Sequence, residues 1–188
     1  STGHHFPLLT LVGVVDADAG LGGGDLRAAE RTFQLLYQVG GRAGREPDGE
    51  GRVGRVLLQT AMPLNPVIAA LVAGDRGRFL AAEMDDRREA GMPPFGRLAA
   101  LIVSARDETQ AENAARSLAQ AAPPTDGVRI LGPAPPPLAL LRGRHRRRLL
   151  AITARQFRLS PWIRNWVEKV PLPRSIHLQI DIDPQTFL

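Results

Sequence analysis

Cysteine is absent from the 188 residues. That excludes disulfides, thiolate chemistry and any Cys-ligated zinc site within this chain, and leaves its compartment open. Lysine is almost absent as well: Lys169 is the only one, in the context Trp-Val-Glu-Lys-Val. No phosphate-cradling G-x-x-x-x-G-K-[ST] loop can therefore be built from this chain. No window approaches ~18 uninterrupted apolar residues, so no membrane-spanning helix is expected. The opening string Ser1-Thr2-Gly3-His4-His5-Phe6-Pro7 has neither an initiator Met nor a basic region leading into an apolar core. We expect no signal peptide there and read the chain as a piece of something longer. What is present suits a folded protein: 44% hydrophobic and 23% charged residues are enough to bury a core in one or two domains.

Charge is unevenly spread. Residues 1–94 hold ten Arg against twelve acids, a net of −2, and residues 95–188 hold thirteen Arg and one Lys against seven acids, a net of +7. This asymmetry points to a polyanionic partner for the second half. The strong Arg bias also fits a GC-rich genome, so the overall basicity by itself overstates the nucleic-acid signal.

The first half alternates strands and helices. Leu8 to Asp16 is a short run rich in Leu and Val, without alternation, as in a parallel strand buried on both faces. Asp16, Asp18 and the glycines at 20 and 22–24 make a loop, and Asp25 is a candidate N-cap. Apolar spacing predicts a helix from Leu26 to Val39, stopped by Gly40 and Gly41. Arg52 to Thr60 reads as a strand, and helices follow over 67–73 and 76–90, opened by Asn65-Pro66 and Asp75. Gly91-Met92-Pro93-Pro94-Phe95-Gly96 breaks both periodicities, and we place a domain boundary there: 1–94 and 95–188.

The second half reads as strand 97–105, helix 107–122, strand 128–131, a proline-rich connector, strand 146–153, helix 161–170 and strand 176–182. In the last strand Ile176, Leu178, Ile180 and Ile182 point inward, and His177, Gln179 and Asp181 outward. The order β-α-β-β-α-β matches a ferredoxin-like split βαβ sheet with helices on one face. Trp162 and Trp166, one turn apart, are read as core or interface anchors.

Two stretches could carry chemistry. Gln38-Val39-Gly40-Gly41-Arg42-Ala43-Gly44-Arg45 ends a helix and delivers two arginines on a glycine loop. Glycine permits close backbone approach, and the guanidinium fork matches phosphate oxygens, as in an arginine finger. A helix C-cap with two solvated arginines fits the same residues. The run Arg142-Gly143-Arg144-His145-Arg146-Arg147-Arg148 has five Arg in seven residues and no acid. Entering a strand, Arg144, Arg146 and Arg148 share one face and Arg147 takes the other. We favour a phosphate-tracking surface over a charged edge that resists edge-to-edge pairing. Asp16 and Asp18, just beyond a strand end, lack a third ligand and are read as structural or coupling residues, so no metal site is expected. The adjacent His4 and His5 fit a strand lead-in, the end of a tag or a weak metal site.

The glycine–arginine string is similar to motif VI of superfamily 2 helicases, Gln-x-x-Gly-Arg-x-Gly-Arg, and Gly3-His4-His5-Phe6-Pro7 with the strand into Asp16-Ala17-Asp18 is similar to motif V. With Asp25-Leu26-Arg27-Ala28-Ala29-Glu30-Arg31-Thr32 between them, the combination resembles the primosomal protein N′ (PriA) family of replication-restart helicases. Gly91-Met92-Pro93-Pro94-Phe95, Leu131-Gly132-Pro133-Ala134-Pro135 and Asp181-Ile182-Asp183-Pro184 with Phe187-Leu188 extend the likeness over essentially the whole chain. Thr2 stands where that family usually has Lys.

The resemblance implies an α/β fold, a partial RecA-like second helicase lobe followed by an α+β ferredoxin-like DNA-binding domain. It implies the C-terminal fragment of an ATP-dependent 3′→5′ DNA helicase that recognises stalled forks and starts primosome assembly. Arg45, helped by Arg42, would reach the γ-phosphate, and Gln38 would sense nucleotide. Gly3, Asp16, Asp18, Gly41 and Gly44 would shape and couple the nucleotide site, and Arg142, Arg144, Arg146, Arg147 and Arg148 would bind DNA. ATP and Mg would be held mainly by an upstream lobe, and zinc by an upstream insertion. Expected partners are branched and single-stranded DNA, single-strand-binding protein and primosome proteins, in the bacterial cytoplasm at the nucleoid and away from membranes. A non-enzymatic fork-binding scaffold with a degenerate motor fits the same fragment. A stand-alone RNA-binding protein with a ferredoxin-like domain is a third reading, which leaves the motif VI string unexplained.

Overall fold

The computed structural model describes residues 9–22, 24–41 and 54–186. They form two compact units. One is built from the described parts of Ser1–Gly23 and Arg27–Glu83, the other from those of Gly24–Leu26 and Met84–Leu188.

In the first unit β1 (Leu11–Val14) pairs in parallel with β2 (Arg55–Leu58). The parallel pairing agrees with the sequence, but burial on both faces does not. Both strands alternate between exposed and half-buried, and Leu11 and Leu57 are exposed. Among the described residues only one face is covered: Val14 and Leu58 pack beside Ala17, Leu36 and Ile68, contributed by the loop after β1, by α1 (Ala28–Gly40) and by α2 (Pro66–Ala73). Helix α1 starts later than its apolar spacing suggests, and Asp25 does not cap it; Arg27 holds the N-cap position and pairs with Glu30 at 2.7 Å. The cause is Leu26, whose side chain packs on Leu98, Ala100, Leu150 and Ile152 in the second unit's sheet and so holds 24–26 outside the helix. The Asn65 side chain caps α2 through the Val67 N–H, with Pro66 in the first turn, and Asp75 accepts from the Arg78 N–H at the start of α3 (Arg76–Ala90). Stacked Phe33 and Phe79 fill the space between α1 and α3.

The second unit holds β3 (Gly96–Ala105), α4 (Glu108–Gln120), β4 (Val128–Ala134), β5 (Leu140–Leu141), β6 (Arg144–Ala154), α5 (Leu159–Glu168) and β7 (His177–Ile182). The four long strands are ordered β4-β6-β3-β7, all antiparallel, and β5 adds to the start of β6. Ala99, Leu101 and Val103 of β3, with Leu149 and Ala151 of β6, face the helices. They are sealed by Ala111, Ala115 and Leu118 of α4 and by Leu159, Ile163 and Trp166 of α5. Trp166 is fully buried and its Nε1–H donates to the Leu118 carbonyl at 2.9 Å, while Trp162 Nε1–H donates to Thr125 Oγ1 at 2.9 Å. Both tryptophans are core anchors, as their helical spacing suggests. Asp107 caps α4 by accepting from the Gln110 N–H. Gly96 sits where a Cβ would lie 2.7 Å from the Thr153 carbonyl oxygen and collide with that of Gly91, so the strand can enter the sheet here only as glycine.

Candidate nucleic-acid interface

The basic run lies on β6, and strand alternation sorts its members. Register pairs Arg147 with Val103, Arg146 with Ser104 and Arg148 with Ile102. Val103 faces the helices, so Arg147 does too. There it donates from Nε to Glu112 Oε2 at 2.5 Å and from Nη2 to Glu108 Oε1 at 2.7 Å. The local sequence contains no acid, yet α4 supplies two across the sheet face. Hydrogen bonds to Glu108 and Glu112 raise the Arg147 pKa, and the bond from Arg147, then that from Arg116, lowers that of Glu112. Arg147 is thus committed to fastening α4 onto β6.

Arg144, Arg146 and Arg148 share the helix-free face. Arg148 Nη1 donates to the Gly24 carbonyl at 3.0 Å, and burial lowers its pKa against the opposing pull of Asp25. Arg146 is 6% exposed, and its Nη1 donates to the Leu138 carbonyl at 3.3 Å. Arg144 Nη2 donates to two carbonyls, Ser104 and Ser175, each at 2.9 Å, and so ties the end of β3 to the loop before β7. Arg142 stands apart, in a two-residue turn with Gly143 that joins β5 to β6; both have positive φ (50° and 70°), the geometry of a tight hairpin.

Arg142, Arg144 and Arg146 form one side of a groove of about 490 Å³ whose other side is Arg174, His177 and Gln179. Ile102, Leu141 and Ile176 supply its apolar surface, and among the described residues no acid lines it. The Arg142 and Arg174 guanidinium groups make no hydrogen bond or ion pair among the described residues. The groove therefore combines two anchored arginines with two that are unpaired among the described residues. Arg148 shares the face but does not line the groove. Sequence reasoning missed Arg174, His177 and Gln179 as partners of the arginine run. The outward alternation of β7 already placed His177 and Gln179 on one face. Only the register, with Ser104 between Arg146 and His177, makes it the same face as the arginines.

In the first unit, Asp18 joins the two strand ends. Its Oδ1 accepts from Thr60 Oγ1 at 2.5 Å and its Oδ2 from the Ala61 N–H at 2.6 Å, while the Asp18 N–H donates to Asp16 Oδ1 at 3.1 Å. Both Asp18 oxygens are engaged in fixing the loop after β1 against the loop after β2. Gln38 is exposed in the last turn of α1, and Gly41 closes that helix in right-handed geometry, donating to the Tyr37 carbonyl at 3.0 Å. Gly3, Arg42, Gly44 and Arg45 lie outside the described residues.

Residues 88–185 match the family model described as the primosomal protein N C-terminal domain. The chain is similar to the replication restart protein PriA of Rickettsia felis, 46% identical over 185 residues, covering 98% of this chain and 28% of that protein. It is 35% identical over 190 residues to the protein of the same name from Treponema pallidum, covering 99% of this chain and 28% of that one, and 35% identical over 191 residues to that from Bacillus subtilis, covering 99% and 23%. The chain thus spans roughly a quarter of the length of these relatives.

Proposed function

The chain belongs to the primosomal protein N C-terminal domain family, and from that premise we propose that it is the C-terminal portion of an ATP-dependent 3′→5′ DNA helicase of replication restart. The first unit is read as the end of a RecA-like second motor lobe. The parallel β1–β2 pair backed by α1 and α2 supports this, as does the glycine–arginine string that follows α1. The second unit is read as a ferredoxin-like DNA-binding domain, on the strand order β4-β6-β3-β7 with both helices against one face. The observation that carries the DNA-binding role is the helix-free face, where three of the five clustered arginines meet Arg174 in a groove that no acid lines among the described residues.

In this reading the chain contributes positive charge to a nucleotide held elsewhere. ATP and Mg are bound mainly by an upstream lobe, zinc belongs to an upstream insertion, and the fixed cations Arg45 and Arg42 stabilise charge developing on the γ-phosphate. Gln38 projects from the turn that leads into those arginines. Asp18, with both oxygens engaged, holds the two strand ends in register, so a shift at one is transmitted to the other. Asp16 and Gly41 belong to the loops around this junction, and Gly3 and Gly44 are assigned to the same nucleotide-coupling set from the sequence motifs alone. The protein works in the bacterial cytoplasm at the nucleoid, on branched and single-stranded DNA, with single-strand-binding protein and primosome proteins.

The test uses the intact protein. Arg45→Ala should lower DNA-stimulated phosphate release about 10³-fold or more with DNA affinity unchanged, and the 188-residue chain alone should release none. Normal turnover per bound complex with lost DNA affinity would make Arg45 a DNA contact. Absence of turnover in the intact wild type would leave a scaffold with a degenerate motor.

A further inference from the structure

Residues 24–26 belong to the second unit, although the chain on both sides of them, Ser1–Gly23 and Arg27–Glu83, belongs to the first. Three contacts hold them there. Arg148 of β6 donates from Nη1 to the Gly24 carbonyl at 3.0 Å. Arg87, in the last turn of α3, donates from Nη2 to the Leu26 carbonyl at 3.3 Å and from Nη1 to the Pro93 carbonyl at 3.1 Å. The Leu26 side chain packs on Leu98, Ala100, Leu150 and Ile152. These four are at most 8% exposed on a sheet face that carries no helix, and among the described residues Leu26 and Met92 are the partly buried apolar groups packed against them. Gly24 has a φ of +64°, and a Cβ built there would lie 3.4 Å from Arg148 Nη2, so the guanidinium closes directly on the backbone.

The segment is joined directly to α1. Arg27 is the N-cap, and the Arg31 N–H already donates to its carbonyl at 2.9 Å. A helix of 13 residues is a stiff rod about 20 Å long, so a displacement of its first turn is passed to its last. That last turn carries Gln38, and the sequence runs on from it to Arg42 and Arg45. Helix α1 does not depend on the second unit for its own burial: Phe33 packs with Phe79 and Val67, and Leu36 with Ile68. The excursion of 24–26 therefore adds a fixed point to a helix that is already packed. We propose that Gly24–Leu26 is a stitch by which the second unit's sheet fixes the start of α1, and that Leu26 and Arg87 are positioning residues for the phosphate-reaching Arg45. The inference rests on the motor reading of Arg45 and deepens it. Phosphoryl transfer depends on placement, and a misplacement of about 1 Å caused far from the chemistry costs up to about 10²-fold in rate. The stitch sets that placement from outside the unit that carries the arginine.

The experiment combines steady-state phosphate release by the intact protein at saturating DNA with hydrogen exchange on the 188-residue chain. Leu26→Ala should lower kcat about 10–100-fold and leave the KM for ATP and the DNA affinity within about twofold of wild type. Leu26→Met refills the apolar patch and should keep kcat within about threefold of wild type. Combined with Arg45→Ala, Leu26→Ala should lower kcat no further than Arg45→Ala alone, because a positioning residue acts only through the group it positions. In the 188-residue chain Leu26→Ala should speed amide exchange in the first turns of α1 about tenfold, while α4, on the other face of the second sheet, keeps its rate. Should Leu26→Ala unfold at the assay temperature, Arg87→Met leaves the patch filled and carries the same test, with a loss of about 3–10-fold in kcat. A wild-type kcat in both variants, or a change confined to KM, would overturn the positioning role. So would failure of Leu26→Met to restore the rate, or a Leu26→Ala loss that multiplies with that of Arg45→Ala. Unchanged α1 exchange would overturn the stitch itself. Normal turnover in Arg45→Ala with faster α1 exchange in Leu26→Ala would overturn the motor reading of Arg45, and this positioning role with it, while the stitch stands.

Discussion

Replacing Arg147 by Met removes one guanidinium and keeps most of the apolar stem. The site is unusual within the basic run because its charge is already spent. Arg147 is 12% exposed and bonds Glu112, 26% exposed, and Glu108, 60% exposed. The Glu108 pair, open to solvent, contributes a few tenths of a kcal/mol. The half-buried Glu112 bond contributes about 1–1.5 kcal/mol as a charge-assisted hydrogen bond. The variant should lose about 1–2 kcal/mol, a fall of about 2–8 °C in Tm for a chain of this size. The loss should depend on pH. The hydrogen bond from Arg147 holds the Glu112 carboxyl below its ordinary 4.5. The folded protein therefore keeps Glu112 ionised at pH values where the unfolded chain has protonated it. The stabilisation is complete above about pH 4.5 and disappears as pH falls through the lowered folded value, so wild type and variant should converge in acid. Thermal melts of both proteins between pH 7 and pH 3 measure this. DNA binding followed in parallel should keep its salt slope. Unchanged stability together with a flatter salt slope would refute the reasoning and return Arg147 to the DNA-contacting set.

Two further substitutions probe the frame that carries the groove. Trp166→Phe removes the indole N–H from the Leu118 carbonyl and leaves a void at a fully buried site, so denaturant titration should show a loss of about 2–3 kcal/mol; a loss under 0.5 kcal/mol would mean the sheet and helices repack freely. Gly96→Ala drives a Cβ against the Gly91 and Thr153 carbonyls and should cost about 3 kcal/mol or prevent soluble expression; a variant as stable as wild type would show that the backbone there yields.

Much of the second unit can be read from periodicity. The stripe Ala111, Ala114, Ala115 and Leu118 becomes the buried face of α4, and β6 separates Arg147 from its neighbours as alternation requires. The β5 hairpin was not legible, because a two-residue strand has no period and its turn puts an arginine, not an asparagine or glycine, at the first of its two positive-φ positions. The start of α1 was misread for a different reason: Asp25 has the chemistry of a cap, but tertiary burial of Leu26 overrides it. The candidate site was half visible. The arginines are adjacent in sequence, so their clustering is local. Arg174, His177 and Gln179 reach them through the β3–β7 pairing, a long-range contact that leaves no mark on spacing. The acids that neutralise Arg147 come from α4 by the same kind of contact.

On the proposed reading the second unit binds DNA through charge on its helix-free face. Titrating the 188-residue chain with two single strands of unrelated sequence over a series of salt concentrations tests it most directly. The account predicts a steep linear fall of log affinity with log salt, about 0.7 per phosphate engaged, with the same slope and nearly the same affinity for both sequences. A flat salt dependence, or affinity that follows sequence while ignoring salt, would contradict it.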